Sequence, residues 1–137
     1  MNRFVLEASV TLAWCFEDER SAYADRLLDG LVPAGAAVPA IWPLEVANAL
    51  LVAERRRRLT RAKAARTLHV LEGLPITIDS ESAARAFDQI LELARAHHLS
   101  VYDAAYLELA LREGLALATL DERLRRAARH AGVEVAA

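Results

Sequence analysis

The chain has 137 residues, 55% of them hydrophobic, which is enough for one proper core and too apolar for a disordered segment. Its 17 basic and 19 acidic residues leave a net charge of −2, so any affinity for nucleic acid must rest on a local patch. The single Cys15 excludes an internal disulfide and fits a reduced, cytoplasmic protein.

At the N-terminus, Arg3 followed by an apolar run imitates a signal peptide. Glu7 and Thr11 interrupt that run, and Glu17-Asp18-Glu19 stands where a cleavage site needs small residues. No stretch approaches the ~18 uninterrupted apolar residues of a membrane span, so no membrane contact is expected. Short apolar runs then alternate with longer helical patterns. Strands are expected at 3–6, 36–39, 76–78, 116–118 and 133–135, none with clean alternation, as befits strands covered on both faces. Helices are expected near 9–15, 20–31, 43–57, 60–72, 80–97, 101–113 and 121–131. Thr60 and Ser80 are candidate N-caps, and Gly73, Gly114 and Gly132 follow helical runs as stop signals. The order implies an α/β sandwich around a mostly parallel sheet, with residues 1–137 read as one domain.

Four acids sit where strands end or helices begin. Glu7 follows Phe4-Val5-Leu6, Glu45 opens the stretch Pro-Leu-Glu-Val-Ala-Asn-Ala-Leu, Asp103 opens Val-Tyr-Asp-Ala-Ala-Tyr, and Asp121 follows Leu-Ala-Leu-Ala-Thr-Leu. In a parallel sheet these places gather at one edge. Carboxylates crowded there repel one another unless a hard divalent cation holds them. Each acid also has a structural explanation. Ser100 to Asp103 and Thr119 to Glu122 have capping-box spacing, Asp121 suits an N-cap, and Glu45 suits the positive end of a helix dipole. Glu7 is harder to explain that way, because burying a lone carboxylate at a strand end is costly. Glu45 and Asn48 share a helix face, with Leu44, Ala47 and Leu51 as a neighbouring stripe to pack on the sheet. Tyr102, Ala105, Tyr106 and Leu109 are expected to be buried beside Asp103.

Val-Leu-Glu-Ala-Ser-Val, Pro-Leu-Glu-Val-Ala-Asn-Ala-Leu, Ser-Val-Tyr-Asp-Ala-Ala-Tyr-Leu-Glu-Leu-Ala and Ala-Thr-Leu-Asp-Glu-Arg-Leu together resemble the motifs of PIN-domain ribonucleases, in particular the VapC-type toxins of toxin–antitoxin pairs. The resemblance runs through essentially the whole chain. It implies a PIN-like three-layer α/β/α sandwich with a five-stranded parallel sheet in the order 3-2-1-4-5. It implies a Mg²⁺- or Mn²⁺-dependent endoribonuclease whose metal is held by Glu7, Glu45, Asp103 and Asp121. Ser9 and Thr119 match small polar positions beside the first and last acids, and Asn48 a helix residue near the pocket; Ser9 also fits a simple N-cap. The resemblance further implies an RNA substrate, a cognate VapB-type antitoxin, a homodimer, and contact with DNA only through the antitoxin. The chain departs from the family at Glu7, where the family has Asp. The longer stem, about 1.5 Å, matters for Mg²⁺, which demands near-ideal octahedral geometry. A catalytically impaired PIN-like domain that binds RNA or a partner without cutting is therefore the alternative. An α/β phosphohydrolase with an Asp nucleophile finds no second acid two residues after Glu7.

Arg55-Arg56-Arg57-Arg58 either complements a helix C-terminus or meets RNA phosphates. His97-His98 diverge on a helix and read as a surface pair rather than a metal site. Trp14, Phe16 and Trp42 read as core or interface aromatics that would supply an apolar groove for the antitoxin.

Overall fold

Phe4–Leu6 form β1, the strand on which the sheet is built, and all three residues are buried. The computed structural model describes residues 2–137. β2 (Ala36–Val38), β3 (Ile76–Ile78) and β4 (Ala116–Ala118) complete a sheet of order β3-β2-β1-β4. Every pairing is parallel, with Phe4 opposite Ala36 and Ala116, and Ala36 opposite Ile76. The unbroken apolar runs of β1 and β2 follow from helices covering both faces.

The sheet has four strands and not the five expected. The run 133–135 contributes a single parallel bridge, Leu117 to Val135, on the outer side of β4. The Leu117 N–H donates to the Glu134 carbonyl (2.8 Å) and the Ala136 N–H to the Leu117 carbonyl (2.9 Å). The Val133 N–H is taken instead by the Ala128 carbonyl (2.8 Å), which closes the preceding helix and shortens the ladder.

The helices are α1 (Ala8–Cys15), α2 (Ala22–Ala34), α3 (Trp42–Arg55), α4 (Arg61–Glu72), α5 (Leu91–His97), α6 (Val101–Glu113) and α7 (Glu122–His130). Thr60 caps α4 as expected, accepting from the Lys63 N–H (3.1 Å). Gly114 stops α6 in the left-handed region (φ 65°) that an L-residue avoids. Gly73 ends α4 right-handed (φ −84°), so that stop makes no use of glycine's freedom.

The stretch 80–97 is not one helix. It runs as a 3₁₀ turn (Ala83–Arg85), a π-helical segment (Ala86–Ile90) and then α5. Ser80 is not its cap. Ser82 does the binding there, accepting from the Ala40 N–H (3.1 Å) and donating to Asp79 (3.0 Å), which ties the β2–α3 turn to the chain after β3.

α3 packs through Trp42, Val46, Leu50 and Ala53. The stripe expected to do this faces outward, with Leu44 66% and Leu51 41% exposed. Both stripes are apolar at helical spacing, and the one carrying Trp42 buries more area. α6 is the central helix, buried throughout 104–110. Ala105, Tyr106 and Leu109 are buried there as expected, whereas Tyr102 is 59% exposed. Among the described residues no helix is long and apolar enough to cross a membrane.

Candidate active site

The first turns of α1, α3, α6 and α7 carry Glu7, Glu45, Asp103 and Asp121 to the edge where β1 and β4 end. Glu7 leaves β1 with its N–H donating to the Ala118 carbonyl (3.0 Å). Its side chain is only 7% exposed, so its oxygens need partners inside the protein. Oε2 accepts the Ser9 N–H (3.0 Å), which makes Glu7 the N-cap of α1. Oε1 accepts the hydroxyls of both Ser9 and Thr119.

Each of those hydroxyls spends its one hydrogen on Glu7 and receives a backbone N–H in return. Ser9 Oγ accepts from Leu120 (2.9 Å) and Thr119 Oγ1 from Asp121 (3.0 Å). Ser9 and Thr119 thereby stitch the β1–α1 turn to the β4–α7 turn. Ser9 is therefore the hydroxyl beside the first acid and not the N-cap of α1: that position is held by Glu7, and Ser9 lies within the first turn as its donor.

Asp121 is the N-cap of α7, its Oδ1 accepting from the Leu124 N–H (2.9 Å). Ser100 caps α6 by accepting the Asp103 N–H (3.1 Å). Asp103 itself is half-buried. Burial pushes its carboxyl above the usual carboxylate range, Glu7 and Asp121 push it further, and Ser100 and Arg123 draw it back.

Glu45 is also half-buried and raised by burial, against a lowering hydrogen bond from Tyr106; Glu7 and Asp103 add to the rise. The Tyr106 hydroxyl donates to Glu45 Oε1 (2.6 Å) from a fully buried ring. Burial and the neighbouring carboxylates hold that hydroxyl in its protonated, donating form. Asn48 is exposed on α3, one turn beyond Glu45.

The four acids therefore share one electrostatic neighbourhood: Glu45 feels Glu7 and Asp103, and Asp103 feels Glu7 and Asp121. They do not converge as a ready-made cage. Among the described residues no three His, Cys, Asp or Glu side chains come together closely enough to hold an ion. Glu7 is turned onto two hydroxyls and Asp121 onto a helix N-terminus, and like charges keep the rest apart. His98 ends α5 in the left-handed region (φ 55°), exposed and away from any such cluster.

Three supporting contacts are absent from the sequence reading. The Tyr106–Glu45 bond spans 61 positions; the rule that a buried Tyr hydroxyl finds a partner signals that a bond exists but not with whom. The Trp42 indole N–H donates to Thr11 (2.9 Å), fixing the start of α3 against α1. At the far end of α6, Arg112 binds Asp79 (2.8 Å) and Glu108 (2.8 Å). The i,i+4 spacing of Glu108 and Arg112 was a legible hint. The Arg112 guanidinium holds the Asp79 carboxyl below the usual range. Of the three aromatics expected to line one groove, Trp42 borders an apolar cavity of about 320 Å³ with Leu71, Leu74 and Ile76. Phe16 borders a different one, and the Trp14 N–H is bound to the Ala24 carbonyl (2.7 Å).

A parallel sheet with acids from four separate segments gathered at one edge defines a class of protein, and comparison with known proteins agrees with it. Residues 4–130 match the PIN domain, and the chain belongs to the PIN-domain family. It is 33% identical over 122 residues to Ribonuclease VapC3 of Pyrobaculum aerophilum, a match covering 89% of this chain and 92% of that protein. The crystal structure of PAE2754 from Pyrobaculum aerophilum is similar with a TM-score of 0.69 at 27% identity, covering 92% of this chain and 86% of that one.

Proposed function

We propose that this protein is a VapC-type toxin: a divalent-metal-dependent endoribonuclease that hydrolyses RNA phosphodiester bonds. The observation that carries this reading is the gathering of Glu7, Glu45, Asp103 and Asp121 at the edge where β1 and β4 end, in a chain of the PIN-domain family. There burial raises the Glu45 carboxyl, with Glu7 and Asp103 adding to it, and raises the Asp103 carboxyl, with Glu7 and Asp121 adding to it. The donors are all hard carboxylate oxygens, the set that suits Mg²⁺ or Mn²⁺. Glu7, Glu45, Asp103 and Asp121 would hold the ion. When bound, it supplies an activated water and stabilises charge developing on the phosphate.

The chain's own residues prepare that site. Tyr106 fixes the Glu45 carboxylate through its hydroxyl. Ser9 and Thr119 fix Glu7. Asp103 and Glu45 must give up any proton before they can act as ligands, so their raised carboxyls set the acid limit of activity. Cleavage leaves a 5′-phosphate and a 3′-hydroxyl, and no protein nucleophile is needed.

The partners proposed are RNA, a cognate VapB-type antitoxin and a second copy of the chain, in the cytoplasm, with DNA reached only through the antitoxin. The groove bordered by Trp42 suits an apolar helix or extended segment of the antitoxin.

Glu7 favours one second reading. Three donors already occupy its oxygens, so an impaired domain that binds RNA without cutting it is the alternative. A structured RNA incubated with Mg²⁺, Mn²⁺ or EDTA, with end-group analysis of the products, tests the proposal. Metal-dependent cuts bearing 5′-phosphates support it. Binding with no cut under any metal supports the alternative.

A further inference from the structure

The turn between α3 and α4 carries cations that the fold itself does not want. It encloses a groove of about 530 Å³ lined by Arg55, Arg57, Arg58, Arg61 and Lys63 against a single carboxylate, Glu54. Arg55 and Arg58 have local explanations. Both lie at the C-terminal end of α3, where the helix dipole favours cations. Arg58 also lies over the Phe16 ring (4.7 Å) and pairs with Asp18 (3.1 Å) and Glu19 (3.4 Å).

The other three are placed against the fold's interest. Arg57 stands in the left-handed region (φ 58°), at the helix stop where the Arg58 N–H reaches back to the Ala53 carbonyl (2.8 Å). That position suits Gly, and an L side chain there is strained. Arg61 and Lys63 occupy the first turn of α4, the positive end of its dipole, and no acid accompanies them. All three are exposed, and among the described residues none of them forms an ion pair within the chain. Cations held in strained or repelled positions, without internal partners, gain their stabilisation from an anion outside the chain.

We infer that this groove binds the phosphate backbone of an RNA strand and leads it along α3 to the carboxylate edge. The inference rests on the ribonuclease reading for what happens at that edge. Ten residues of α3 separate Glu45 from Arg55, about 15 Å at 1.5 Å per residue. That distance corresponds to roughly four stacked nucleotides at 3.4 Å each. A strand anchored in the groove would thus place a phosphate near Glu45 without crowding the acids with cations. It also explains how a chain of net charge −2 holds a polyanion.

The test uses Arg57→Gly and the double variant Arg61→Glu, Lys63→Glu in the full chain. Binding of a fluorescein-labelled single-stranded RNA is followed by anisotropy from 50 to 300 mM salt in EDTA, so that nothing is cut. A fluorescein-labelled polyglutamate is measured in parallel, and each protein is also melted. Arg57→Gly should melt higher than the parent by about 3 °C, because strain is relieved. It should nevertheless bind RNA more weakly, by roughly fivefold at 0.1 M salt, with the slope of log K against log salt flattened by about 0.7. The double variant should flatten the slope by at least about 1.4.

Higher stability with weaker binding is a pairing that a merely structural Arg57 does not produce. Unchanged affinity and slope in both variants, with the parent binding RNA, would overturn the groove alone. Loss of polyglutamate binding with RNA binding retained would overturn it in favour of a protein partner. A parent that binds RNA through the groove but never cuts it with Mg²⁺ or Mn²⁺ removes the ribonuclease reading and leaves the groove standing. A parent that binds no RNA at 50 mM salt overturns the groove, and the ribonuclease reading then stands or falls on cleavage with Mg²⁺ or Mn²⁺.

Discussion

Tyr106→Phe isolates one bond in the candidate site. The substitution removes a single oxygen from a fully buried ring and leaves the packing of α6 in place. What is lost is the hydrogen bond to Glu45 Oε1 (2.6 Å). Bonds to charged groups contribute about 1.5–3 kcal/mol. Glu45 is half-buried, so water recovers part of this, and a loss of about 1–1.5 kcal/mol is expected. For a chain of this size that lowers the melting midpoint by about 3–6 °C. The same bond opposes burial, Glu7 and Asp103 in setting the Glu45 carboxyl. Without it the carboxyl rises further, so the acid limb of the rate profile moves to higher pH. Thermal melts and a pH profile of RNA cleavage with Mn²⁺ measure the two effects. A variant that melts like the parent and keeps its acid limb would refute the claim that Tyr106 holds Glu45.

Divalent metal should stabilise the fold, by about 2.7 kcal/mol at a hundred times its dissociation constant, and Asp103→Asn should shrink that shift. Glu45 and Asp103 have raised carboxyls. Their contribution is full below the unfolded values and is lost as pH rises through the folded ones, so EDTA-treated protein loses stability there. The metal-induced shift in melting should therefore be larger at pH 7 than at pH 5. Glu7→Asp should raise cleavage well above the parent, since a misplacement of 1 Å costs roughly a hundredfold, while Glu7→Ala should be inactive. Equal rates for the Glu and Asp forms would make the longer acid a working ligand. Arg112→Ala should cost about 1.5–3 kcal/mol, because Glu108, 4% exposed, is left with Arg85 alone (3.6 Å) and the partly buried Asp79 with the Ser82 hydroxyl. A melt shifted by less than a few degrees would show that the cluster relaxes.

Much of the fold is legible because local signals agree with one another. Phe4-Val5-Leu6 ending in Glu7 marks both a buried strand and the residue placed at its edge. Thr60 and Gly114 mark helix ends by mechanisms confined to one turn. What is not legible depends on distant partners. Leu44/Leu51 and Trp42/Val46/Leu50 are both apolar stripes on one helix, and only the sheet decides which is buried. Tyr102 and Tyr106 are one turn apart, yet one is exposed and the other reaches Glu45. The break of 80–97 into 3₁₀, π and α segments begins where Ser82 binds Ala40, which lies 42 positions away. The gathering of the acids was foreseeable from parallel topology. The turning of Glu7 onto Ser9 and Thr119 was not, since it joins turns 112 residues apart.

The central claim is that these carboxylates act together through a divalent ion on RNA. One Mn²⁺ titration of metal-stripped protein, read simultaneously by melting midpoint and by the rate of RNA cleavage, tests it most directly. The account predicts that both rise over the same concentration range, and that both responses are lost together in Asp103→Asn. Cleavage that persists in EDTA, or a variant that keeps the full metal response, would contradict it.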